Sequence, residues 1–231
     1  MAPGAARTVA HRGDPYHHRE NTLPSVRSAL LKGADVVEVD IRLTRDGVPV
    51  LLHDATLDRL WKDPSEVTEL TSDELFKATG GGVPSLADAL GELRTHGSGL
   101  MLLDLTEADQ AAPTVAAVRD AGAAERVYYC GELSAIRQVR ALDPDAEIAL
   151  TWKTSLRPAD SVLDGLAPRW LNLRFGLVDP PTVAWAREHG LLVGAWTADW
   201  RRSMTRLLDL GVDAITTNRL DALQRVLARG R

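Results

Sequence analysis

A chain of 231 residues, 45% of them hydrophobic and 26% charged, can bury a substantial core and falls within the size that one α/β barrel commonly occupies. Its net charge of −5, with no Lys/Arg-rich run, argues against nucleic acid as a partner, so a bound phosphate has to be met by a local site. One cysteine, Cys130, excludes an intramolecular disulfide framework and a multi-cysteine metal centre.

The opening MAPGAARTVAH lacks the apolar core of a secretory signal, and no stretch reaches transmembrane length. A cytoplasmic protein with no stable membrane association is expected. Short apolar runs then alternate with amphipathic segments, the pattern of a parallel sheet or barrel wrapped in helices. Strands are predicted at 8–12, 36–40, 100–105, 126–130, 148–152, 170–174, 191–196 and 212–217. Helices are predicted at 22–32, 85–95, 111–121, 133–142, 158–166, 180–189, 201–210 and 220–229. Gly33, Gly122, Gly190 and Gly211 fall just past four helix ends, and Pro158 and Pro180 near two helix starts. The strand count fits a (β/α)8 TIM barrel if residues 41–53 form a β-hairpin, turning at Arg45-Asp46-Gly47, above the C-terminal mouth. Residues 55–82, with their Gly80-Gly81-Gly82 run, read as a long irregular loop carrying a short helix near 73–77. The mouth insertion thus covers about 41–83, within a single expected domain spanning 1–231.

The stretch VVEVDIRLTRDGVPVLLHD, residues 36–54, concentrates the chemistry. Side chains alternate along a strand, so Glu38 and Asp40 share one face while Val37, Val39 and Ile41 share the other. Two acids facing an interior repel each other and lose hydration, a cost met by protonation, by a cation or by a hard divalent metal. The hairpin returns His53-Asp54 to the same neighbourhood. Active sites of βα barrels lie at the C-terminal strand ends. His11-Arg12-Gly13 ends the first strand and Asp104 the third; Lys153, Arg174, Trp196 and Asn218 stand at later ends. Carboxylates, imidazoles and cations therefore converge, an inventory suited to metal-assisted phosphoryl chemistry. Blander readings coexist: Arg12 pairing with a carboxylate, Asp104 capping a helix, Lys153 and Arg174 in structural ion pairs, and Trp196 in the core.

HRG, then REN-T, GADVVEVDIRLTRDGVPVLLHD, VPSLADAL, LLDLT, AWT and GVDAITTN occur in an order that resembles the glycerophosphodiester phosphodiesterase family. The resemblance implies a βα barrel that cleaves a glycerophosphodiester, a small molecule, to glycerol 3-phosphate and an alcohol. It implies His11 and His53 as the acid/base pair, Arg12 as a phosphate ligand, and Glu38 and Asp40 as ligands to one divalent ion, Ca2+ or Mg2+. In the family the attacker is the neighbouring glycerol hydroxyl, giving a cyclic phosphate that water opens. Where the family has a glutamate and, two residues on, a lysine, this chain has Asp104 and Thr106. Aspartate keeps a metal-binding carboxylate. Loss of the lysine removes a positive charge, for which Lys153 or Arg174 is expected to substitute. The family's asparagine after Trp-Thr is Asp199 here, and the aspartate of its last strand is Asn218. Related barrel phospholipases use aspartate at the Asp104 position, which leaves a lipid-directed phospholipase as a second expectation. Thr106 leaves a third, a weakened barrel that binds a phosphorylated ligand.

Overall fold

The computed structural model of the protein describes residues 6–229. Residues 1–5, on which the leader-free reading partly rests, and the last two residues lie outside them.

The strands are β1 (Arg7–His11), β2 (Val36–Leu43), β3 (Pro49–Leu51), β4 (Leu100–Leu105), β5 (Val127–Gly131), β6 (Ala149–Trp152), β7 (Trp170–Arg174), β8 (Leu192–Trp196) and β9 (Ala214–Thr217). The helices are α1 (Leu23–Leu31), α2 (Asp58–Trp61), α3 (Ser72–Thr79), α4 (Leu86–Thr95), α5 (Ala111–Asp120), α6 (Leu133–Leu142), α7 (Asp160–Leu166), α8 (Pro180–Glu188), α9 (Arg201–Asp209) and α10 (Leu220–Arg229). Eight parallel strands run in the order β5-β4-β2-β1-β9-β8-β7-β6. A parallel bridge between Tyr129 and Ile148 closes the ring, and the Tyr129 N–H donates to the Glu147 carbonyl at 3.0 Å.

The expected hairpin excursion is present. β3 pairs antiparallel with the outer end of β2, Ile41 against Leu51 and Leu43 against Pro49. Gly47 turns the chain with φ +77°, and its N–H donates to the Thr44 carbonyl at 2.9 Å. Helix starts follow local side-chain chemistry. Thr22 caps α1 through the Ser25 N–H, and Ser85 forms a reciprocal capping box with Asp88 at the start of α4.

Residues 55–82 are more ordered than the irregular loop expected. They hold α2, α3 and a 3-10 turn at Val67–Glu69, around a small core of Val50, Leu52, Leu57, Val67, Leu75 and Val83. Val50 and Leu52 keep the strand period, but Leu57, Val67, Leu75 and Val83 come from separate turns of the chain. A bridge between Thr56 and Glu66, with the Val67 N–H donating to the Ala55 carbonyl at 2.9 Å, folds the segment back so that they meet.

Strand alternation sorts the barrel. Val37, Val39 and Ile41 join the main core between barrel and helices, while Val36 joins an inner cluster with Val9, Leu102, Tyr128, Cys130, Ala149, Trp170 and Ala214. Tyr128 stacks on Trp170 with centroids 6.1 Å apart, and a void of only about 10 Å³ remains among these residues. This inner cluster is a floor. The polar residues stand above it.

Candidate active site

Parallel register sets the site. Within the ring His11 pairs with Glu38, and Asp40 pairs with Asp104. Inward alternation then stacks Glu38 and Asp40 over Val36, and Asp104 over Leu102. One carboxylate oxygen from each of Glu38, Asp40 and Asp104 lies within 4.8 Å of the other two. Glu38 is 4% exposed and Asp40 6%. Asp104 lines the barrel interior and caps no helix.

Burial and the charges of Asp40 and Asp104 push the Glu38 carboxyl well up, and burial and the charge of Asp40 raise Asp104 to about 6. Such shifts mark a site with more negative charge than its own cations offset. The donors are all oxygens, the set that hard Ca2+ or Mg2+ prefers. The three carboxylates therefore fit a divalent ion.

The turn after β1 holds the acids in place. Arg12 has φ +56° and Gly13 φ +87°, and this left-handed pair aims the Arg12 N–H at Glu38 Oε2, 3.0 Å away. A Cβ on Gly13 would lie 2.4 Å from Ser25 Oγ and 2.6 Å from its carbonyl carbon, so only glycine fits. The Arg12 guanidinium donates from Nη1 to Glu20 at 2.8 Å. Its Nε sits 3.0 Å from Asp40 Oδ2, close in charge although the N–H is not aligned for a hydrogen bond. Arg12 thus serves the acid cluster directly, the alternative left open by the bare sequence, while also lining the cavity. Asn21, whose role sequence reasoning missed, donates to Asp40 Oδ2 at 2.7 Å and accepts from the Asp40 N–H at 3.2 Å. Its φ of +55° is one that asparagine tolerates, which is the signal the REN-T motif carries.

Both histidines line one cavity of about 320 Å³ at the barrel mouth. His11 Nδ1 lies 2.8 Å from Asn218 Oδ1, and Asn218 Nδ2 donates to Asp199 Oδ2 at 2.8 Å. Asp199 also accepts from the Thr217 hydroxyl and the Asn218 N–H. A carboxylate only accepts, so Asp199 fixes the Asn218 amide and Asn218 fixes the proton of His11 on Nδ1. Nε2 is left facing Glu38 at 3.9 Å. Burial and the neighbouring Arg12 charge lower the His11 pKa. His53 is more open, with a side chain 47% exposed, and its Nδ1 lies 2.7 Å from Asp54 Oδ1. Arg42, also missed, donates to the His53 carbonyl from Nε at 3.1 Å and Nη2 at 2.8 Å, tying that loop to β2.

The expected cations fare differently. Lys153 lines the cavity and pairs with Glu132. Arg174 does not line it: as the last residue of β7, where the chain leaves the ring for the Phe175–Leu177 turn, it is exposed. Trp196 walls the cavity, as does Thr106. Buried Cys130 also lines it, its thiol pushed up by burial.

Residues 11–222 match the family profile described as "Glycerophosphoryl diester phosphodiesterase family". A "Glycerophosphodiester phosphodiesterase" of Caldanaerobacter subterraneus is 27% identical, covering 96% of this chain and 98% of its own. A Mycobacterium tuberculosis protein named "Probable glycerophosphodiester phosphodiesterase 2" is 31% identical over 98% of this chain and 93% of its own. The fold is shared with an Oleispira antarctica phosphodiesterase solved with its product sn-glycerol-3-phosphate, at TM-score 0.84 and 22% identity, covering 97% of each chain. The expected eight-stranded barrel, its acid cluster and this profile match agree, and the chain belongs to the glycerophosphoryl diester phosphodiesterase family.

Proposed function

We propose that the chain, as one barrel domain, hydrolyses glycerophosphodiesters to glycerol 3-phosphate and an alcohol, using His11 and His53 as proton carriers and a divalent ion, Ca2+ or Mg2+, as cofactor. One observation carries the reading. Two buried carboxylates and a half-buried third, Asp104, with one oxygen of each within 4.8 Å of the others, border a single cavity together with two imidazoles. The product bound by the Oleispira antarctica neighbour supports the substrate class.

Glu38, Asp40 and Asp104 would hold the ion, which when bound would supply polarisation of the phosphoryl oxygens. Asn218 keeps the His11 proton on Nδ1, so Nε2 is free to accept one from the attacking oxygen. His53, at the open side of the cavity, donates to the departing alkoxide, with Asp54 steadying the imidazole. Arg12 orients Asp40 and Glu38 and completes the phosphate cradle with its remaining N–H groups. Lys153 is the cation closest in role to the family lysine, replaced here by Thr106, and Trp196 forms the apolar wall against which the glycerol moiety packs.

The decisive assay incubates purified protein with glycerophosphocholine and, in parallel, a lysophospholipid, each with calcium, magnesium or chelator. Release of glycerol 3-phosphate from the soluble diester, abolished by chelator, is expected. Absence of that product under every metal condition sinks the reading, and turnover of lysophospholipid alone replaces it with the lipid-directed one.

A further inference from the structure

The rim of the barrel mouth is chemically lopsided. Seven large apolar side chains are well exposed among the described residues. Four of them, Tyr16 at 64%, Leu156 at 77%, Phe175 at 36% and Trp200 at 71%, sit in the loops that follow β1, β6, β7 and β8. With β9 these strands are consecutive in the ring, so the four residues mark one arc. The β9 loop contributes Arg219, whose guanidinium lies 5.4 Å from the Tyr16 ring and 5.9 Å from the Trp200 ring. Arg174 and Arg201 extend the arc. Among the described residues these three arginines form no ion pair within 4.0 Å of a carboxylate.

Exposed tryptophan and tyrosine cost free energy in water and are favoured at the headgroup level of a bilayer, where an apolar body and a polar tip both find partners. Unpaired arginines beside them add attraction to anionic headgroups. Over the whole chain the net charge is −5, so attraction to an anionic surface has to come from a local patch, and a patch on one arc of the mouth fixes the orientation of the molecule. The complementary half of the mouth carries the acid cluster on β2 and β4 beneath the 44–85 insertion, where Phe76 on α3 is the single well-exposed large apolar side chain among the described residues. No helix among the described residues is long and apolar enough to cross a membrane, so the contact is peripheral.

We propose that the arc from Leu156 to Tyr16 is a reversible docking surface for an anionic phospholipid bilayer, which it meets with the cavity mouth facing the headgroups. Docking is independent of turnover, and so is its test. Purified protein is sedimented with phosphatidylcholine vesicles, with and without phosphatidylglycerol, at low and at raised salt. Retention by the phosphatidylglycerol vesicles alone, and release by salt, are expected. Arg219→Gln and Arg201→Gln should each weaken retention roughly fivefold, the effect of one cation near an anionic surface. Trp200→Ala should weaken it too, and all three variants should hydrolyse soluble glycerophosphocholine at the wild-type rate. No retention by phosphatidylglycerol vesicles, equal retention by neutral ones, or variants that sediment like the wild type would overturn the proposal. A protein that docks without hydrolysing, or hydrolyses without docking, tells the two readings apart.

Discussion

Metal affinity should depend steeply on pH, because the carboxylates that bind the ion have to give up protons first. In the metal-free protein, burial and the Asp40 charge raise Asp104 from 3.8 to about 6. A raised folded pKa means that the stability tied to this proton is fully present below about 3.8 and is lost as pH rises through about 6. At about 1.4 kcal/mol per pH unit, the ionised carboxyl costs the empty site on the order of 3 kcal/mol at neutral pH. A divalent cation offsets that cost. Below about pH 6, the dissociation constant should therefore rise about tenfold per pH unit from Asp104 alone, and more steeply as Glu38, also raised, takes up its proton. Calorimetry in two buffers of different ionisation enthalpy reads both the affinity and the protons released. Asp104→Asn should remove one decade per pH unit from the slope, and saturating metal should raise Tm more at about pH 8 than at about pH 5. An affinity that stays flat over this range, or a slope that Asp104→Asn leaves unchanged, would refute the linkage between the acid cluster and the ion.

His11→Ala and His53→Ala should each lower kcat about 100- to 10,000-fold, the usual worth of a positioned acid or base. His53→Ala should keep its melting temperature, since that side chain is half exposed; wild-type turnover in either variant removes that imidazole from the chemistry. Asn218→Ala should lower kcat with little change in KM, because it frees the His11 tautomer without touching the cavity's cations, whereas a rise in KM alone would contradict a positioning role. Gly13→Ala should be destabilised by roughly 2–5 kcal/mol from the left-handed φ and the collision with Ser25. Gly33→Ala, at φ +75° with open space around it, should bear only the conformational part, about 1–2 kcal/mol. Equal melting temperatures for the two variants would show that the turn after β1 is not tightly packed.

Periodicity made most of the framework readable. Alternation along VVEVDI places Glu38 and Asp40 on the inner side because Val37, Val39 and Ile41 need the helices, and the ring register then brings Asp104 alongside. The Arg45-Asp46-Gly47 turn announced the hairpin that returns His53. Side-chain pairing across distant segments was harder to read. Nothing in the local sequence says that Lys153 meets Glu132, or that Asn218 stands between His11 and Asp199 more than 200 positions from its histidine. Arg174 shares strand parity with the inner residues Trp170 and Asn172, yet parity has no force where a strand ends and the backbone turns away. In the 55–82 segment the short helix near 73–77 was legible and appears as α3, whereas α2 and the 3-10 turn were not, because the small core there joins residues from separate turns of the chain.

The plug formed by Tyr128, Trp170 and their neighbours beneath the acids has a kinetic corollary. Among the described residues this packing closes the inner end of the barrel, so the chamber opens at the mouth. Diester, water and both fragments share it, so whichever fragment lingers blocks the next arrival. Inhibition by the phosphorylated product, competitive with the diester in steady-state kinetics, is the expected outcome.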